Sequence, residues 1–248
     1  VGSTSVKYDL FDMDRERSLG GGSVERVGTP NAKHSYEYGE SGTKGSVELA
    51  AGDISAALDA VLAQLTGPDG VLKERSEVRA VGHRVVHGGE KLVAPAKITD
   101  AVKAVIRECA VYAPIHNPAN LAGIEAAQRA LPDATHVAVF DTAFHAGLPA
   151  HAYTYAVPHE LYLTKGVRRY GFHGPSHQFM ALSAAEFLKT DLSRLKLVTC
   201  HLGGGASVCA LDGGRSVDTS MGMTPLEGLV MGTRAGDLDP AVPLALVK

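Results

Sequence analysis

A chain of 248 residues has the length for one large domain or two, each burying its own core. Its composition, 45% hydrophobic and 21% charged at a mean hydropathy of +0.01, is that of an ordinary globular protein and excludes a disordered chain. The net charge of −3 is evenly spread, with 14 basic and 16 acidic residues in 1–124 and 10 and 11 in 125–248; this excludes a polybasic face for nucleic acid or anionic lipid.

Partners are therefore expected among small molecules or proteins. No apolar run approaches the roughly 18 residues of a membrane span, and no charged and then apolar leader opens the chain. The expectation is a soluble, cytoplasmic protein. Cys109, Cys200 and Cys209 form no CxxC pair, which fits reduced thiols. The 28 glycines, about 11% of the chain, cluster in short motifs, as backbone approaching a ligand requires.

In chain order, Val1 and the run Gly2-Ser3-Thr4-Ser5 read as a loop whose preceding strand is absent. At the other end the apolar stretch after Asp239-Pro240 runs to Lys248 without a helix stop, so the chain is expected to be a fragment. Residues 53–65 predict a helix, capped by Asp53, burying Ile54, Ala57, Leu58, Val61, Leu62 and Leu65, and stopped at Gly67-Pro68. Residues 78–89 read as a buried strand opening into a Gly-Gly loop, and Asn117-Pro118 as the start of a helix that ends at Pro132. The buried strand 136–140 then delivers Asp141. A loop to about residue 170 leads to a helix over 176–188, its apolar face formed by Met180, Ala184, Phe187 and Leu188, and 195–214 reads as a hairpin with Gly203-Gly204-Gly205 at its tip. Strands alternating with helices make a mixed α/β protein. The glycine-hydroxyl turns at 1–7 and 201–209, each leading into a strand, suggest two half-molecules built on one plan, each with a phosphate-binding hairpin.

Four polar residues stand where strands or tight turns end: Arg84 in GHRVVHGGE, Asp141 after HVAVF, His173 in YGFHGPSH and Arg234 in MGTRAGDLDP. One arginine beside an apolar run suits a buried ion pair; two arginines, one in a Gly-Thr-Asp loop, suit phosphate oxygens. A zinc pair of His173 and His177 is disfavoured, because Gly174 and Pro175 interrupt the helix it would need and no HExxH or cysteine pair accompanies it. No metal ligand is assigned.

Taken together, VGSTSVKYDLFDM, HRVVHGGE, APIHNPANL, FDTAFH, RYGFHGPSH, HLGGGAS and TPLEGLVMGTRAGDLDP closely resemble the acetate kinase family over nearly the whole chain. The resemblance implies the duplicated actin-like, sugar-kinase and Hsp70 type of α/β fold, two domains around a cleft, with residues 1–145 as the N-terminal domain and 146–248 as the first part of an incomplete C-terminal domain. It implies ATP-dependent phosphorylation of acetate to acetyl phosphate by direct in-line transfer, reversible, with Mg²⁺ and ATP or ADP, in a homodimer. By the same resemblance Arg84, Arg234, His173 and Asp141 are catalytic, and Val86, Ile115, His116, Phe172 and Pro225 line the substrate with Arg84. Ser3, Ser5, Lys7, His201, Gly203, Gly204 and Gly205 are expected to meet the nucleotide phosphates. Propionate or butyrate kinase activity is the near alternative, and a catalytically silent actin-like binding protein the distant one. The chain departs from the family's pattern in lacking an asparagine before Val1, in carrying Gly204 where an asparagine is usual, and in its shorter C-terminus.

Overall fold

The structure is a computed structural model that describes residues 2, 4–39 and 42–247. The chain divides into two compact units: Val1–Arg84 with Lys97–Ala110 and Pro114–Ala138, and Val85–Ala96 with Val111–Ala113 and Val139–Lys248.

The first unit opens on an antiparallel meander of β1 (Ser5–Asp12), β2 (Arg17–Glu25), β3 (Ala32–Tyr38) and β4 (Thr43–Leu49), in spatial order 1-2-3-4. It was not legible as four strands, because β2 reads RSLGGGSVE and three successive glycines hide the alternation. Val6, Val24, Ala32 and Tyr38 form its inner face, and α1 (Ile54–Leu65) lays Ala57, Val61, Leu62 and Leu65 on the same core. Asp53 caps α1 as expected, accepting the Ala56 N–H at 2.8 Å, and the helix stops two residues before Gly67.

Two further helices, α2 (Asp100–Glu108) and α3 (Asn117–Ala130), complete this unit. The cap of α3 is His116, one residue earlier than expected. The Asn117 side chain instead donates to the Ile106 carbonyl at 2.9 Å, tying the two helices.

A three-stranded sheet has the order β5-β7-β6, from β5 (Ala80–Val85), β6 (Ala96–Lys97) and β7 (Thr135–Phe140). β5 is shorter than the expected strand and is not buried throughout: Ala80, Gly82 and Arg84 are exposed and only Val85 is fully enclosed. Its apolar composition concealed an alternation, since glycine and alanine count as apolar while burying little.

In the second unit the stretch expected as a loop holds two short helices, α4 (Ala150–Tyr153) and α5 (Glu160–Lys165). Next comes α6 (Gly174–Phe187), followed by an antiparallel sheet of β8 (Lys196–Leu202), β9 (Ala206–Asp212) and β10 (Arg215–Thr219) in order 10-9-8. The expected glycine-tipped hairpin is β8-β9, closing on Leu202 paired with Ala206. The expected apolar face of α6 is not the buried one. Gly174, His177, Ala181 and Ala185 face inward, whereas Phe187 is 86% exposed and Met180 and Leu188 are exposed too. The inward face is made of small residues and a histidine, which carry no hydrophobic signal. A last short helix, α7 (Ala241–Leu246), ends the described residues. No helix among them is long and apolar enough to cross a membrane.

Candidate active site

The second unit brings together the glycine turn between β8 and β9, the N-terminus of α6 and the loop that follows β10. His173 is the residue just before α6. It adopts the left-handed conformation at φ +58°, which side chains other than glycine and asparagine rarely take and which costs of order 1 kcal/mol or more. Gly174 and Pro175 do not interrupt the helix; they start it, with proline in its first turn. Glycine is needed at 174 because a Cβ there would collide with the Asp141 carbonyl oxygen and lie 2.8 Å from the Phe144 Cβ.

This close approach fixes the end of β7 against the start of α6. The Asp141 carbonyl accepts the Gly174 N–H at 2.9 Å, the Asp141 N–H donates to Val85 at 3.0 Å, and Asp141 itself is 1% exposed. The strand therefore delivers Asp141 at its C-terminal end, where the sequence put it.

The His173 ring stacks on His201 with centroids 3.9 Å apart, and His201 Nδ1 lies 2.9 Å from Ser176 Oγ. Between them and Arg234 lies Gly205: a Cβ built there would be 3.3 Å from Arg234 Nη2 and 3.5 Å from His173 Cε1. Arg234 is oriented by its Nη1 donating to the Pro225 carbonyl at 2.6 Å. Gly203 donates to the Gly205 carbonyl at 3.0 Å, which tightens the tip, while Gly204 is exposed with open space around a built Cβ. Bare backbone, one guanidinium and one imidazole thus converge within one unit, the donor set that anionic oxygens require.

Behind this surface lies a buried layer that the sequence did not single out. Ser207 Oγ is 2.8 Å from His173 Nδ1 and 2.8 Å from His177 Nε2, and His177 Nδ1 is 2.8 Å from Thr199 Oγ1. His145 places Nδ1 2.8 Å from Ser216 Oγ and Nε2 3.0 Å from the Phe172 carbonyl. Burial first, and then the neighbouring imidazoles, push the His177 pKa down to about 4; burial also brings His145 to about 4, so both are neutral. The only signal for this layer was the four-residue spacing of His173 and His177.

The loop after β10 is held by a second network. Arg169 donates to the Thr219 carbonyl at 2.9 Å and pairs with Glu227 at 2.6 Å, and Tyr155 donates a short hydrogen bond to the same carboxylate. This fixes the segment that carries Pro225 and Arg234.

Of the remaining residues expected at the site, Phe172 is 1% exposed, in a core cluster with Ala206, Met221 and Met231, and Val86 packs against that cluster. In the first unit Arg84 lies exposed on β5, and His116 is half-buried at the start of α3 beside Ile115, which is 70% exposed. Ser5 and Lys7 lie on β1, with the Gly2 N–H donating to the Ser5 carbonyl at 2.7 Å. Ser3 lies outside the described residues. Among the described residues no three His, Cys, Asp or Glu side chains form a group able to hold a metal ion.

A family model described as the acetokinase family matches residues 1–248. A curated relative named acetate kinase, from Clostridioides difficile, is 52% identical over 242 residues, covering 97% of this chain and 61% of the relative. Among solved structures, one described as Porphyromonas gingivalis acetate kinase superposes with a TM-score of 0.92 at 43% identity, over 99% of this chain and 62% of that one. A propionate kinase from Francisella tularensis matches with a TM-score of 0.90 at 38% identity, over 99% and 62%. The chain thus spans about three fifths of the length of the proteins it matches, and its mixed α/β architecture is of the actin-like class expected from the motifs. Matched by that family model over its whole length and by a relative 52% identical over 97% of its residues, this chain belongs to the acetokinase family.

Proposed function

We propose that the protein is an acetate kinase, transferring the γ-phosphoryl group of ATP to acetate and, in reverse, from acetyl phosphate to ADP. The observation that carries this reading is the convergence of His173, strained at the head of α6, with Arg234 on the Gly205 turn. A carboxylate oxygen of acetate forms the new bond to the γ-phosphorus while the bond to the β,γ-bridging oxygen breaks and ADP leaves. No proton moves and no covalent enzyme intermediate forms. Such a transfer asks for positioning and for charge compensation of the migrating group.

In this reading the guanidinium groups of Arg84 and Arg234 bind the carboxylate and the equatorial phosphoryl oxygens, His173 donates to those same oxygens, and His116 supports them. Ser3, Ser5, Lys7, His201 and the backbone of Gly203, Gly204 and Gly205 meet nucleotide phosphates. Val86, Ile115, Phe172 and Pro225 wall the methyl group. Magnesium, a hard cation that needs few protein carboxylates, would offset phosphate charge when bound. Asp141 would orient the magnesium water shell or the acceptor. A homodimer in the cytoplasm, acting on small molecules rather than nucleic acid, completes the proposal.

Propionate is the second reading, supported by the likeness to the propionate kinase. One methylene in an apolar pocket is worth only about 1–3 kcal/mol, so preference among short acids is expected to be graded. The test is ATP-dependent acyl phosphate formation by the full-length protein, trapped with hydroxylamine, on acetate, propionate and butyrate. Acetate should give the highest kcat/KM. A propionate maximum would move the assignment to propionate kinase, and no product from any acid would leave a silent actin-like binding protein.

A further inference from the structure

Ser207 stands between two imidazoles, its Oγ 2.8 Å from His173 Nδ1 and 2.8 Å from His177 Nε2. A hydroxyl carries one hydrogen, so it can donate to one of these nitrogens and must accept from the other. The two nitrogens are therefore complementary: if one bears hydrogen, the other does not. His177 is neutral and 1% exposed, so it carries a single hydrogen, and Thr199, 2.8 Å from its Nδ1, takes the matching role there.

Two arrangements satisfy this chain. In the first, Thr199 O–H donates to His177 Nδ1, His177 Nε2–H to Ser207 Oγ, and Ser207 O–H to His173 Nδ1, leaving the hydrogen of a neutral His173 on Nε2. In the second every donor becomes an acceptor and both imidazoles carry Nδ1–H. The first places both rings in the Nε2–H tautomer, which neutral imidazole prefers intrinsically. It also gives His173 a donor, as the guanidinium of Arg234 does beside the same Gly205 turn. The stack on His201, at 3.9 Å, holds the plane of the His173 ring.

We propose that Ser207 and His177 are positioning residues that hold His173 as its Nε2–H tautomer, a donor oriented before a phosphoryl group arrives. Donation to phosphoryl oxygens rests on the kinase reading; the tautomer does not. Long-range ¹H–¹⁵N correlation spectra of the ¹⁵N-labelled full-length protein should show His173 and His177 with protonated Nε2 and unprotonated Nδ1. A protonated Nδ1 on His173 overturns the proposal, and this spectrum decides it even where a variant fails to fold.

In Ser207→Ala the His173 Nδ1 resonance should move toward that of an exchanging tautomer mixture, and kcat should fall about tenfold with KM for ATP within about twofold. Ser207→Thr should restore both. An Nδ1 resonance unchanged in Ser207→Ala also overturns the proposal. Wild-type spectra and a Ser207→Ala shift of the His173 Nδ1 resonance as expected, in a protein that forms no acyl phosphate, would support the relay and remove the kinase reading.

Discussion

Arginine 84 and arginine 234 carry the same charge in different settings, and their substitutions should separate function from support. Arg84 is exposed on β5, and the variant to compare is Arg84→Ala. Arg234 also braces its own loop through the Pro225 carbonyl at 2.6 Å, so Arg234→Ala should cost stability as well. If both guanidinium groups bind the migrating phosphoryl, each alanine variant should lower kcat by about 10²-fold or more, because such contacts strengthen in the transition state. Steady-state kinetics with thermal unfolding as a folding control measure this. An unchanged kcat in a folded variant would return that arginine to a structural role. Both arginines were legible in the sequence from their loops and neighbours. Ser207 was not, since a serine two residues past a glycine turn is ordinary until two histidines are found upon it.

At the scale of elements, α1 and α6 show opposite dependence on local signals. α1 follows its own pattern and cap, so Asp53→Ala should remove about 1 kcal/mol of stability and leave kinetics alone. α6 is positioned from outside, by the close approach of Gly174 to Asp141 and Phe144. Gly174→Ala must push the helix away and carry His173 with it. A stability loss of about 1–3 kcal/mol with a kcat loss of at least tenfold is expected. Urea unfolding paired with activity assays distinguishes the two variants; Gly174→Ala with wild-type kcat would show that His173 is not held by that contact. The outward face of α6, with Phe187 and Met180, is why its expected register was inverted: the strongest apolar signal lies on the exposed side.

For the whole molecule, the buried histidines set an acid limit. His87, His145 and His177 have pKa values pushed down to about 4, chiefly by burial, while an unfolded histidine titrates near 6.5. Between those values the unfolded chain binds more protons, so stability is full above about pH 6.5 and is lost as pH falls toward 4. Each pKa unit is worth about 1.4 kcal/mol, so these groups together should remove more than about 2 kcal/mol of unfolding free energy between pH 7 and pH 4.5. Urea titrations at those pH values provide the measurement. A flat profile would mean that the three rings are hydrated or already protonated in the folded protein.

The sequence by itself determined the α/β class, α1 with its cap, the β8-β9 hairpin and the position of Asp141 at a strand end. These depend on apolar periodicity, capping and turn chemistry, which act over a few residues. Through whole motifs it also determined the family. Only the tertiary structure decided which face of α6 is buried, that Gly174 is required by a carbonyl oxygen thirty-three residues away in the chain, and that Ser207 joins His173 to His177, which in turn meets Thr199. Such contacts join residues far apart in sequence, and small or polar side chains leave no periodic trace of the partners they will meet.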